Sequence, residues 1–267
     1  MVCPQPERME PGILLSGSST AKQHRSPWFI LAGAFLAVLV FSIFMVSLSF
    51  AVAGFKSTEE FGSWMTNYYL KPEPEKTASA IEYFSDSSLY KSNATLPTAA
   101  FFSALFKKDS VLMKKTFNEV ETGGSENAKI MIINVLSLTH TPEAKELLER
   151  VRETWKSERF QGLVARQLAR PHEDLYSVAV RSPQVLDMLW GAFFATGEDV
   201  PVKRVISVIH LEQDGHGEER VIGGTANWSL GSNAKQHRRV LEICREEAKK
   251  AQGATKELLE KIIKEAE

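Results

Sequence analysis

Apolar residues recur along much of this chain at the three-and-four spacing of a helix, and one version of the pattern is written several times. Ser110, Thr141 and Asp199 are good N-cap residues. Three, six, seven and ten residues after them stand Met113, Thr116, Phe117 and Val120; Ala144, Leu147, Leu148 and Val151; and Val202, Val205, Ile206 and Ile209. Each set is one stripe of a helix at a common phase. A looser copy starts from Ala234 and gives His237, Val240, Leu241 and Cys244, with His237 interrupting the stripe. Each stripe helix follows an apolar run and a short polar turn, as in "TAAFFSALF", "AKIMIINVLSL" and "VLDMLWGAFFAT". The predicted unit is a helical hairpin with a tight turn.

The starts at 110, 141, 199 and 234 are spaced 31, 58 and 35 residues apart. The long interval reads as one period carrying an insertion near 153–178. Phe160, Leu163 and Leu168 predict one more irregular helix there, stopped at Arg170-Pro171, because the residue before proline is pushed out of helical geometry. Ser57 and Glu60 have capping-box spacing, and no Asn-Gly or Asp-Gly hairpin signal separates alternating apolar runs. The fold class predicted for residues 56–267 is therefore all-α. Leu258, Leu259, Ile262 and Ile263 give the last helix, 254–266, an apolar side suited to covering the final repeat, with Glu257–Lys261 and Glu260–Lys264 as supporting pairs.

Periods in the low thirties suit stacked helix pairs, since no pair buries its apolar face alone. Trp228, Leu230 and Gly231 in "NWSLG" match part of the tetratricopeptide signature, without its following Tyr. On this pattern residues 57–251 resemble α-solenoid repeat proteins of the tetratricopeptide and HEAT kind, in architecture and not in family signature. The resemblance implies a stack of helix pairs offering a face to a protein partner. The alternative is a non-repetitive helical bundle.

The segment Trp28–Phe55 carries no charge and is long enough for a transmembrane helix. Lys22 and Arg25 precede it and Lys56 follows, so the expected localisation is single-pass in a lipid bilayer, N-terminus cytoplasmic and C-terminal domain extracytoplasmic. The alternative is a secretory signal cleaved after Ala53, releasing a soluble helical domain. Residues 1–27, with Pro4, Pro6 and Pro11, predict a disordered tail.

Composition adds little to this picture. Of 267 residues, 43% are hydrophobic and 24% charged, and 32 basic side chains face 33 acidic ones for a net charge of -1. No basic field points to nucleic acid. Cys3 and Cys244 make no disulfide framework.

The chain lacks G-x-S-x-G, G-x-G-x-x-G and P-loop patterns, and His172-Glu173 lacks the second zincin histidine, Tyr176 standing in its place. His210, Glu212, Asp214, His216 and Glu218 are donors of the types that bind divalent metals, set in a Gly-containing connector that would be polar in any case. Cys244 has Arg245 beside it but lies on the apolar stripe. Lys235, His237, Arg238 and Arg239 are locally basic, offset by Glu242, Glu246 and Glu247. Asn93-Ala94-Thr95 and Asn227-Trp228-Ser229 match the glycosylation acceptor pattern. No catalytic, cofactor-binding or metal-ligating residue is assigned, no cofactor or small-molecule substrate is evident, and enzyme activity is not expected. The functional expectation is a membrane-anchored interaction or scaffold module binding a protein partner on the helical domain. The alternative is a metal-dependent hydrolase with ligands near 210–218.

Overall fold

Side chains that close the free amides of a first turn decide where several of these helices start. The structure, a computed structural model, describes residues 54–169 and 174–267. Helices α1 (Thr58–Asn67) and α2 (Thr77–Asp86) precede a first hairpin of α3 (Thr95–Lys108) and α4 (Ser110–Gly123), and a second of α5 (Glu126–Thr139) and α6 (Pro142–Thr154). After α7 (Glu158–Leu168) come a third hairpin of α8 (Pro183–Thr196) and α9 (Asp199–Ile206), a single turn at Leu211–Asp214, a fourth hairpin of α10 (Glu218–Gln236) and α11 (Arg238–Ala248), and finally α12 (Gly253–Ala266). No strand occurs among the described residues, so the fold is all-α.

At α1, Ser57 Oγ accepts from the Glu60 amide at 3.2 Å while Glu60 Oε2 accepts from the Lys56 amide at 2.8 Å. Thr141 caps α6 as expected, accepting from the Ala144 amide at 3.2 Å. The cap of α4 is Asp109, one residue before the expected Ser110. Its carboxylate accepts from both Val111 and Leu112 amides, at 3.0 and 2.8 Å, which a serine hydroxyl one position later does not reach. The α9 helix likewise starts one residue early, after Glu198. These shifts leave the phase untouched. Every residue of the four stripes is buried, including Thr116 and His237.

The hairpins do not line up in chain order. The most extensive helix contact joins α3 to α8, while α5 packs on α3 as well, α8 also meets α10, and α9 meets α11. In space the order is second, first, third, fourth. Both α3 and α8 are buried nearly all round, from Thr98 to Phe106 and from Leu189 to Ala195, as central helices must be. Their backbones touch: a Cβ on Gly191 would stand 2.2 Å from the Pro97 carbonyl oxygen. The chain reaches this arrangement through α7, whose Val164 is fully buried, and the segment that follows it.

The single-pass membrane localisation expected from residues 28–55 does not stand. Among the described residues no helix is long and apolar enough to cross a membrane. Residues 28–53, with the proposed cleavage at Ala53 and the tail 1–27, lie outside the described residues. At the end of that stretch, Phe55 packs in the domain instead, its ring 5.5 Å from Phe61, 5.3 Å from Trp64 and 5.7 Å from Tyr83. Aromatic neighbours cover part of its ring in place of lipid.

At the other end, α12 packs on α10 and α11 through Leu258, Leu259 and Ile262. Its ion pairs differ from those expected. Lys256 approaches Glu260 at 3.9 Å, and Glu265 pairs with Lys235 at 3.6 Å, because a neighbouring helix offers a partner as near as the next turn does.

His237 stands at the start of α11 inside the core, where the Tyr69 hydroxyl lies 3.3 Å from its Nδ1. Burial holds its pKa below the usual value. The unfolded chain takes that proton at about pH 6.5, so the stability from neutral His237 is complete above this pH and is lost as the pH falls through it toward the lower folded value. The drop in melting temperature between about pH 7.5 and pH 5 should therefore be smaller in His237→Gln than in the parent; equal drops would show that His237 does not carry this linkage.

Adjacent glycines of α10 give a sharper test. A Cβ on Gly223 would stand 2.1 Å from the Glu212 backbone nitrogen, whereas one on Gly224 meets nothing within 4 Å. Gly223→Ala should cost about 1–3 kcal/mol by overpacking, and Gly224→Ala should gain about 0.5–1 kcal/mol from helix propensity. Urea unfolding of the two variants checks the opposite signs.

Candidate functional site

The sequence's candidate metal ligands do not assemble. Leu211–Asp214 is one helical turn, Glu212 Oε2 accepts from Asn227 Nδ2 at 2.6 Å, and the Glu212 carbonyl accepts from Arg220 Nε at 3.0 Å. Among the described residues no three His, Cys, Asp or Glu side chains gather to hold a metal ion, so nothing in the geometry supports the hydrolase alternative. The Cys244 thiol is buried, which pushes its pKa up to about 12, and Arg245 pairs with Glu267 at 2.9 Å. A thiol held protonated is a poor nucleophile.

The local basic cluster is neutralised within the domain. Lys235 pairs with Glu265 at 3.6 Å, Arg238 with Glu242 at 3.0 Å, and Arg239 with Asp199 and Glu242. Of the two glycosylation patterns, Asn93 lies exposed in a turn before α3. Asn227 is mid-helix and bonded to Glu212, and Ser229 is buried and accepts from Trp190 Nε1 at 3.1 Å. Trp228 of "NWSLG" is 75% exposed, so it does no packing of the kind a repeat-signature residue does. His172 and Glu173 lie outside the described residues.

The feature that sequence reasoning missed is a cleft of about 730 Å³ opened by the order of the hairpins. With α5 and α8 both packed on α3, the second and third hairpins leave a gap above it. Ala100 and Ser103 of α3 line its base. On one side are Leu136, Ser137, Leu138 and His140 of α5 and its turn, with Thr141, Pro142, Lys145 and Leu148 beside them. On the other are Val185 and Met188 of α8. Gln167 and Leu168 from the end of α7, with Leu175 and Val178, complete the wall.

That last wall is tied down at several points. Asp174 pairs with Lys107 at 3.0 Å, whose ammonium also lies 5.3 Å from the Tyr176 ring centre. The Tyr176 hydroxyl donates to Glu198 Oε2 at 3.4 Å, and Arg204 donates to the Val178 carbonyl oxygen. Burial first, and then the neighbouring Glu198, raise the Tyr176 pKa, which keeps the hydroxyl a donor. Leu175 and Val178 are thereby fixed between anchored neighbours.

Three groups in the cleft stand out chemically. Ser103 is 8% exposed and its hydroxyl makes no hydrogen bond among the described residues. Gln167 donates from Nε2 to Asn134 Oδ1 at 2.9 Å, yet its Oε1 is buried with no partner. A buried polar atom of this kind is satisfied by a bound group or a water. His140 sits in the left-handed region, at φ 55° and ψ 34°, where it ends α5 and turns the chain past the cleft. It is the one residue other than glycine with positive φ among the described residues, and such strain gathers at binding sites.

The volume falls in the range of about 300–1,000 Å³ typical of small-molecule sites, which are mostly apolar with a few placed polar groups. The arrangement is equipped to hold a molecule. In comparisons with protein-family models, curated proteins and solved structures, the chain finds no match in any of the three.

Proposed function

We propose that this all-α domain is a non-catalytic binding module that holds an apolar group of its partner in the cleft between the second and third hairpins. The observation carrying this reading is the cleft itself: about 730 Å³, walled largely by leucine, valine and methionine, with the buried, unpartnered Oε1 of Gln167 in its lining. A helical domain with no other task would gain stability by closing such a space, since unfilled volume lined by apolar groups forfeits packing contacts. Here the wall at Leu175 and Val178 is held open by polar anchors on its outer side.

This reading keeps the interaction module expected from the sequence and moves its binding surface. A serial stack binds along a face built by successive repeats. This chain places its second and third hairpins on the same central helix and binds between them. The helix pair is still the building unit, and the segment between the hairpins becomes a wall of the site, which is the kind of connector where specificity is carried.

Nile red, a neutral apolar dye, tests the reading on the full chain. Saturable one-to-one binding with a blue-shifted emission is expected. Met188→Trp, which fills the cleft from the half-buried face of α8, should weaken that binding about tenfold or more by occupying the ligand's space, while leaving the melting temperature close to the parent's. Dye binding unchanged by Met188→Trp, or no saturable binding in a folded parent, would refute the cleft as the binding surface.

A further inference from the structure

We infer that the occupant of the cleft is a single-chain amphiphile with an anionic head, its chain on the apolar walls and its head at Lys145. The inference rests on the cleft being the binding surface and adds the chemistry of what fills it.

The charge around the cleft is one-sided. Among the described residues no Asp or Glu lines it, and Lys145 does. Lys145 is exposed on α6 and belongs to no ion pair among the described residues, whereas Lys107, Lys108 and Lys203 each have a carboxylate within reach, at 3.0, 3.0 and 3.4 Å. An unpaired ammonium beside an apolar cavity favours a ligand of opposite charge, because the low-dielectric walls strengthen the field it feels. Two hydroxyls can assist. Thr141 accepts from the Ala144 amide at 3.2 Å with one lone pair and keeps its proton to donate, and Ser103 has a hydroxyl proton as well. All three groups offer donors, which suits the acceptor-only oxygens of a carboxylate.

The rest of the lining suits a hydrocarbon chain. Leu136, Leu148, Val185 and Met188 offer no hydrogen bonds, and methionine adapts to irregular apolar shapes. A cationic ligand would meet Lys145 with no acid to offset it. A wholly neutral apolar ligand would leave the donors of Lys145, Thr141 and Ser103 unused. An apolar chain ending in an anion uses both kinds of surface.

The test uses the full chain with cis-parinaric acid, a fluorescent single-chain carboxylate, and the alcohol of the same chain. The acid should bind saturably and about fivefold more tightly than the alcohol, the scale of a partly exposed ion pair. Lys145→Ala should erase that preference by weakening the acid about fivefold, and Lys145→Glu should reverse it. Because Lys145 is exposed, neither change threatens the fold. Equal affinities for acid and alcohol in the parent, or a preference for acid that survives Lys145→Glu, would overturn the anionic head while Nile red binding still stood. Failure of all three probes would remove the cleft as a binding surface altogether. A membrane lipid is the other source of an anionic head on an apolar chain, so phosphatidylglycerol vesicles form a separate arm. Cosedimentation that Lys145→Glu abolishes, without binding of the monomeric acid, would overturn the free amphiphile in favour of a lipid surface.

Discussion

The backbone contact between Pro97 of α3 and Gly191 of α8 is the constraint from which the rest of the arrangement follows. A side chain at Gly191 would collide with the Pro97 carbonyl, 2.2 Å from where its Cβ would stand. With hydrogen there, two helices buried nearly all round meet at backbone distance. Burying both all round supplies the largest block of core, about 25 cal/mol for each Å² of apolar surface removed from water. Once α8 is seated on α3, it is not available to α5. The second hairpin keeps its own place on α3, and the space between the two becomes the cleft.

Around that seam the polar groups serve placement more than energy. Exposed ion pairs contribute little individually, and most of those here are exposed. Their positions are nevertheless informative. Lys107, Lys108 and Arg204 all reach toward the segment after α7 or the turn before α9, through Asp174, Glu198 and the Val178 carbonyl. Such bonds tie Asp174, Val178 and Glu198 to α3 and α9. On the far side, Arg239–Asp199 and Lys203–Glu247 link α9 to α11, beside the within-helix pairs Lys203–Asp199 and Arg239–Glu242.

Tyr69 shows how the first helix is joined to the last hairpin. Its amide donates to the Phe194 carbonyl at 3.0 Å, its ring lies over Gly197, and its hydroxyl meets His237. Gly197, at φ 65°, ends α8 in a conformation that most residues resist, and the absent side chain leaves room for that ring. One residue thus closes the end of the central helix and satisfies a polar group in the core of the fourth hairpin.

The sequence by itself determined the local structure. Period and capping chemistry place helices where they occur, and the four stripes keep their phase because burial of one face depends only on residues a turn apart. The cap at Asp109 was missed by one residue, because Asp109 and Ser110 are both good capping residues and the choice rests on which side chain reaches the Val111 and Leu112 amides. "TAAFFSALF", "AKIMIINVLSL" and "VLDMLWGAFFAT" read alike as apolar helices, and periodicity alone does not say which helix meets which. That pairing is decided by shape at Gly191 and Pro97, residues nearly a hundred positions apart. The binding cleft was illegible for the same reason. Ser103, Lys145, Gln167 and Met188 carry no shared spacing or motif, and each is ordinary on its own helix. Only the tertiary order of the hairpins, which seats the third on the first rather than on the second, brings them around one space.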